Sequence, residues 1–224
     1  PGADTVASDI DLIESTSTTA AGGVDDITTG AGSDLIVGGR FGDTIKAGDG
    51  SNLVIGDSGK ITAASSDGPQ LAGIPMTFGL IETVEFGDGG SDTITTGSGS
   101  DIILGGTNDT VDNSETTADE RIETIIAGDG NNIVLGDDGK IDYTRADRQP
   151  TETGADTNPA DIDLIESTST TLYGGVETIT TGTGNDIVIG GRYEDTINAG
   201  AGHNIVIGDS GKITADPDTD STLR

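Results

Sequence analysis

Carboxylate oxygen is the one reactive group this chain holds in quantity. Of its 224 residues, 40 are Asp or Glu and 10 are Lys or Arg, giving a formal charge of −30. Asp supplies 30 of the acids and Glu only 10. The Asp residues are spread along the chain beside glycine, whereas acidic tails tend to favour Glu in blocks. Short carboxylates next to flexible backbone suit cation sites built from oxygen ligands. There is no Cys and one His, His203. Thiolate chemistry is therefore absent, and imidazole chemistry rests on a single ring.

Composition removes several classes. The negative charge repels nucleic acid and anionic membrane surfaces. No apolar run approaches the roughly 20 residues that span a bilayer, so no nucleic-acid partner and no membrane insertion are expected. Aromatics are 3% and Trp is absent, so a conventional single-core enzyme lacks bulky filling. Leu, Ile, Val and Phe total 49 residues, about 22%, close to the roughly 20% at which a charged chain is disordered. Ile alone accounts for 26 and Gly for 37, which favours strands and turns. The start, Pro1-Gly2-Ala3-Asp4, carries no signal segment and reads as a piece of something longer.

Internal repetition organises what remains. Residues 9–62 and 161–214 align at an offset of 152 without a gap, with 39 of 54 positions identical. A divergent copy lies at 80–142, with an insertion near 107–119. The expected organisation is a first unit at 9–62, a linker at 63–79, a second unit at 80–142, a linker at 143–160, a third unit at 161–214 and an acidic tail at 215–224.

Inside each copy runs a shorter period of nine. The tiers of the first copy are 20–28, 29–37, 38–46 and 47–55. Each has a Gly-rich turn, usually Asp or Asn at the sixth place, then three strand-like residues. The third copy repeats this at 172–207, and the middle copy does so with one enlarged tier over 105–126. After each fourth tier comes GDSGKI or GDDGKI, read as a cap or a turn out of the array.

TGAGSDLIV, TGSGSDIIL, TGTGNDIVI and GDGGSDTIT resemble the nonapeptide G-G-x-G-x-D-x-U-x of the RTX, or haemolysin-type, calcium-binding repeats. Phe41 and Tyr193 depart from the pattern where the second turn glycine belongs. Asn52, Asn132, Asn204, Glu123 and Glu177 stand in place of Asp.

The resemblance implies an all-β fold, a parallel β-roll or β-solenoid of nonapeptide repeats. Calcium would sit between turns two tiers apart, held by backbone carbonyls and the sixth-place side chains. The implied pairs are Asp25 with Asp43, Asp34 with Asn52, Asp101 with Asn132, and Asp186 with Asn204. Glu177 with Asp195 and Asp92 with Glu123 are further pairs, in which Glu is longer than the motif's Asp. Asp–Asn pairs carry one charge and imply weaker sites. Carboxylates about 4 Å apart repel by roughly 4 kcal/mol at an effective dielectric of 20, so the chain is expected to fold when calcium binds.

Side chains alternate faces along a strand. The eighth place, pointing into the roll, is always Ile or Val, from Ile27 to Val206. At places seven and nine the odd tiers are mostly polar. The even tiers are apolar throughout, from Leu35-Ile36-Val37 to Ile205-Val206-Ile207. One sheet should therefore be buried on both faces. Its cover would be the segments Ile10–Ile13, Leu71–Val84 and Ile162–Ile165, a neighbouring unit, or self-association with another chain. Cover by the chain's own segments weighs more.

Other motifs have plainer readings. GDSG at 56–59 and 208–211 has the look of a serine-protease nucleophile motif, but the middle copy has Gly136-Asp137-Asp138-Gly139, and Ser51 and Asn131 replace His203. Gly59-Lys60 lacks the remaining signature of a phosphate loop. Asp216, Asp218 and Asp220 have EF-hand spacing without the required Gly, which reads as a solvated tail. Asn108-Asp109-Thr110 is an incidental glycosylation sequon. Carboxylate pairs for glycoside hydrolysis lack aromatic platforms. The outward Thr28, Thr95, Thr180 and Thr196 are interrupted by Lys46 and Asn198, which argues against an ice-binding face.

No enzyme activity is expected of this stretch. The reading is a calcium-stabilised structural module of a large secreted or surface bacterial protein: a spacer, adhesin, or matrix or fibre element. The alternatives are the repeat region of a secreted enzyme or toxin, and a glycan- or partner-binding adhesin surface.

Overall fold

The computed structural model describes residues 9–17, 22–65, 70–87, 89–108, 122–144, 160–169 and 174–215. Among these residues the chain is all-β, in three six-stranded sheets. The first roll sheet takes the odd tiers: β2 (Asp26–Thr28), β4 (Thr44–Gly48), β8 (Thr93–Thr96), β10 (Ile122–Ile126), β14 (Val176–Thr180) and β16 (Thr196–Asn198). The second takes the even tiers: β3 (Leu35–Val37), β5 (Leu53–Ile55), β9 (Ile102–Leu104), β11 (Ile133–Leu135), β15 (Ile187–Gly191) and β17 (Ile205–Asp209). Both are parallel and stack their strands in chain order. Strands of all three copies thus share one continuous stack.

The eighth-place residues do what the period requires. Ile45, Ile94, Ile125 and Ile179 meet Val54, Ile103, Val134 and Val188 in the space between the two roll sheets, and all eight are fully buried. Each such side chain is worth about 1.5–3 kcal/mol relative to exposure. A core one residue thick can then hold a stack so poor in large side chains.

The outward apolar face of the second roll sheet is covered by this chain. A third, antiparallel sheet lies over it: β1 (Leu12–Glu14), β6 (Gly59–Ala63), β7 (Phe78–Thr83), β12 (Gly139–Asp142), β13 (Leu164–Ser167) and β18 (Lys212–Thr214). Leu53, Ile55, Leu104, Leu135 and Ile189 pack there against Ile61, Phe78, Ile81, Ile141 and Ile165. The chain's own strands thus occupy that apolar face over the inner strands of the stack.

Half of the cover was not foreseen. The GKI segments, read as caps, are strands of the cover sheet. Its register aligns Ile13, Ile61, Ile81, Ile141, Ile165 and Ile213 in one row. The next row alternates in charge: Glu14, Lys60, Glu82, Lys140, Glu166, Lys212. Lys60 meets Glu14 at 3.1 Å and Lys140 meets Glu166 at 2.9 Å. Opposite charges facing each other across strands add roughly 0.2–1 kcal/mol per pair, and the alternation leaves no like charges opposite one another in this row.

Candidate metal centre

The turns between the roll sheets carry the sixth-place side chains in two columns, one along each edge. The first column, entering the first roll sheet, is Asp25, Asp43, Asp92, Glu123, Glu177 and Asp195, every member acidic. The second, entering the second roll sheet, is Asp34, Asn52, Asp101, Asn132, Asp186 and Asn204, acid and amide in alternation.

One bond recurs along both columns, a side-chain oxygen accepting the backbone N–H of the preceding member; it runs through the whole second column and through the first except on either side of Glu123. In the acidic column Asp43 Oδ1 accepts from Asp25 at 2.7 Å, Asp92 Oδ1 from Asp43 at 2.7 Å, and Asp195 Oδ1 from Glu177 at 3.1 Å. In the other, Asn52 Oδ1 accepts from Asp34 at 3.0 Å, Asp101 Oδ1 from Asn52 at 2.8 Å, Asn132 Oδ1 from Asp101 at 3.0 Å, Asp186 Oδ1 from Asn132 at 2.9 Å and Asn204 Oδ1 from Asp186 at 2.9 Å. The pairs implied by the resemblance are neighbours in these columns. Three of the four contacts that join one copy to the next, Asp43 to Asp92, Asn52 to Asp101 and Asn132 to Asp186, follow the same rule.

What remains of the acidic side chains distinguishes this column. Asp43 Oδ2, Asp92 Oδ2 and both oxygens of Glu123 are buried without a hydrogen-bond partner. Glu123 is fully buried, and the charges that act on it most are four carboxylates, Asp92, Glu177, Asp57 and Asp137. Burial, then those charges, push its carboxyl well above the usual range. Burial likewise pushes Asp43 up to about 6 and Asp92 to about 8. Glu177 is pushed to about 11 by burial and by its neighbours Asp195 and Asp137. An ionised carboxylate taken out of water without countercharge costs several kcal/mol. The column asks for positive charge.

The backbone shapes a place for it. The first residue after every strand core of the second roll sheet is glycine: Gly38, Gly56, Gly105, Gly136, Gly190 and Gly208. A methyl added at Gly38 would overlap the Gly56 carbonyl oxygen and Asp43 Oδ2. At Gly56 it would overlap the Gly105 carbonyl and Asp92 Oδ2, and at Gly105 the Gly136 carbonyl and Glu123 Oε1. At Gly190 it would overlap the Gly208 carbonyl and Asp195 Oδ2. A carbonyl and a carboxylate oxygen converge at each of these four steps. No group of three or more Asp, Glu, His or Cys side chains among the described residues is arranged to hold a metal. Such a site draws on carbonyls beside one or two carboxylates, and that donor set, all hard oxygen, is what calcium takes.

The second column meets more of its own needs. Asn52 Nδ2 donates to the Gly50 carbonyl at 2.9 Å and to Asp101 Oδ1 at 3.0 Å. Asn132 Nδ2 donates to the carbonyls of Gly128 at 2.9 Å and Gly130 at 3.3 Å. Thr181 Oγ1 donates to Asp186 Oδ2 at 2.8 Å. Burial pushes Asp101 of this column up, against hydrogen bonds from Thr96 and Asn52. Asp34 Oδ2 and Asp101 Oδ2 are the exceptions, buried and unpartnered.

Sequence reasoning missed a second set of carboxylates. Asp57, in the GDSG motif, accepts from the backbone N–H of Gly90 at 3.1 Å and Thr107 at 2.6 Å. Asp137, its counterpart in GDDG, accepts from Gly175 at 3.0 Å and Arg192 at 2.5 Å. Each Asp clasps the turns of the following copy. Position in the repeat was the available signal, because the motif recurs at the end of every unit. Ser58 is buried beside it. His203 lies in an exposed turn, its backbone N–H donating to Asn185 Oδ1 at 2.9 Å. Asn108 of the sequon is buried and donates to Glu177 Oε1 at 2.7 Å. Phe41 and Tyr193 hold the left-handed conformation at φ 69° and 76°, so the turn geometry survives the loss of glycine. The tail acids Asp216, Asp218 and Asp220 lie outside the described residues.

A protein-family model described as the RTX calcium-binding nonapeptide repeat matches in four copies, at residues 28–60, 86–113, 117–140 and 180–212, just over half of the chain. No curated protein and no solved structure matches it.

Proposed function

Because the chain belongs to the RTX calcium-binding nonapeptide repeat family, we propose that it is a calcium-folded structural module, a stiff spacer or adhesive matrix element of a large secreted or cell-surface bacterial protein. The carrying observation is the acidic column, whose carboxylate oxygens are buried without partners beside turn carbonyls. Calcium supplies two positive charges and takes about 6–8 oxygen ligands.

Asp25, Asp43, Asp92, Glu123, Glu177 and Asp195 would hold it on one edge, with the glycine carbonyls between them. Asp34, Asp101 and Asp186 would be the charged ligands on the other edge, with Asn52, Asn132 and Asn204 as neutral ones. The chain's own part is to hold these oxygens at the spacing of the stack, which the Ile and Val ladder fixes. The module performs no catalysis. Its service is a continuous three-copy stack that is rigid where calcium is abundant. Extracellular calcium modules bind at about 10⁻⁴–10⁻³ M, so the chain would stay unfolded at low calcium and set after export. No helix among the described residues is long and apolar enough to cross a membrane.

Limited proteolysis tests the reading. Fragments resistant in millimolar calcium and rapidly cut in chelator or in magnesium alone are expected. Equal resistance in chelator would overturn it.

A further inference from the structure

The first and third copies are a natural experiment, because sequences identical at 39 of 54 positions sit at opposite ends of one stack. Ile205 and Val206 of β17 are each 46% exposed, whereas their counterparts Leu53 and Val54 are fully buried against the next copy. At the other end Leu12 is 50% exposed, whereas its counterpart Leu164 is 3% exposed. Sequence does not explain the difference. The buried members carry a further repeat copy of this chain packed on them, and the exposed ones are the outermost strands of the described stack.

We propose that these two ends are complementary, and that the end formed by β16, β17 and β18 takes the β1, β2 and β3 end of a second copy of this chain, head to tail. The proposal rests on the calcium-ordered stack argued above. Its template is the joint between the second and third copies. There β11 adds to β15 in the second roll sheet, β10 adds to β14 in the first, and β12 pairs antiparallel with β13 in the cover. Strand β18 repeats the Lys-Ile motif of β12, and β1 repeats the Leu-Ile-Glu of β13.

Charge agrees with this order. The cover row begins at Glu14 and ends at Lys212, so a second copy would continue its alternation, as Lys140 continues to Glu166 at 2.9 Å. The clasp agrees too. Asp57 and Asp137 each accept backbone N–H groups of the next copy, whereas their counterpart Asp209 is exposed. Gly23, at the opposite end, is the counterpart of the Gly175 that Asp137 holds, and nothing lies within 4 Å of a methyl placed there.

Unpaired parallel edges are templates for another strand. An interface between two different ends does not close on itself, so it propagates as a filament. One occupant fits all three sheets at once, and it is this same repeat.

Sedimentation velocity in saturating calcium, with circular dichroism on the same samples, decides the matter. Leu12→Lys blocks one end and Ile205→Lys the other, both at exposed positions. The wild type is expected to grow with concentration into elongated species. Each variant alone should stay monomeric with unchanged dichroism, and their equimolar mixture should stop at dimers. A folded wild type that stays monomeric at all concentrations would overturn the proposal, as would association of either variant alone. A variant that loses its dichroism is replaced by Val206→Lys or Ile10→Lys, judged on the same outcomes. A wild type unfolded in calcium would instead overturn the calcium-folding reading beneath it.

Discussion

The two edges of the roll have the same turn backbone and opposite electrostatic solutions. One edge stacks six carboxylates, and Glu123 at its centre has both oxygens buried without a partner. The other alternates Asp with Asn, and the amides of Asn52 and Asn132 donate to the turn carbonyls. An amide nitrogen there does part of what a cation does, since it binds carbonyl oxygen and offsets a neighbouring carboxylate. If calcium folds the chain as proposed, its dependence would be set by side-chain choice at one place in nine, more than by the fold.

The largest way to break the comparison is to close a cradle on the acidic edge. Gly105→Ala places a methyl against the Gly136 carbonyl and Glu123 Oε1. A cost of about 2–4 kcal/mol is expected, as for overpacking of a filled site. Gly208→Ala changes the glycine that follows the last strand of the same sheet, the third-copy counterpart of Gly136, where nothing lies within 4 Å, and should stay within about 0.5 kcal/mol. Thermal melts at fixed calcium compare them. Equal losses would show that the cradle is not what matters.

Exchanging the chemistry of the columns comes next. Asn132→Asp removes amide bonds to Gly128 and Gly130 and adds a charge, so it should destabilise the chelated chain by about 1–3 kcal/mol and steepen its calcium dependence. Glu123→Gln should do the reverse, making the chelated chain easier to fold and less responsive to calcium. Urea titrations with and without calcium read both. The same direction for both variants would contradict the contrast.

Acid should act chiefly on the acidic edge. Carboxyls raised in the fold contribute stability that is fully present below their unfolded values near 4 and lost as pH rises through the folded ones, about 6 for Asp43 and about 8 for Asp92. In chelator the chain should therefore become more ordered as pH falls from 8 toward 4, and calcium should flatten that dependence. Far-ultraviolet dichroism against pH would show it. A chelated chain that loses order over this range would count against it.

The smallest effect belongs to the cover. Lys60→Ala removes a partly exposed pair with Glu14 and should cost no more than about 0.5 kcal/mol, measured by the same melts. A larger loss would mean that the charge row holds the third sheet in place.

How much of this was legible follows from the reach of each signal. The period of nine and the eighth-place ladder from Ile27 to Val206 are local, so the roll and its two columns could be read directly. The apolar places seven and nine of the even tiers, such as Leu53 and Ile55, announced that something must cover them. The cover's full membership was not legible. Lys60 and Glu82 pair across a cover sheet whose strands lie far apart in sequence, and no period links them. The Asp57 and Asp137 clasps were hidden for the same reason, since their partners belong to the next copy. Nor could composition show that Asn52 serves its own turn, because that depends on where the amide points.

The most direct test of the central claim, that calcium answers the buried carboxylates of the acidic edge, is a calcium titration from chelator upward followed by circular dichroism, with magnesium as the control. A cooperative coil-to-strand transition in calcium, absent in magnesium, is the expected result. A chain already rich in strand in chelator would contradict the claim, and would mean that the Ile and Val ladder and the cover sheet hold the stack alone.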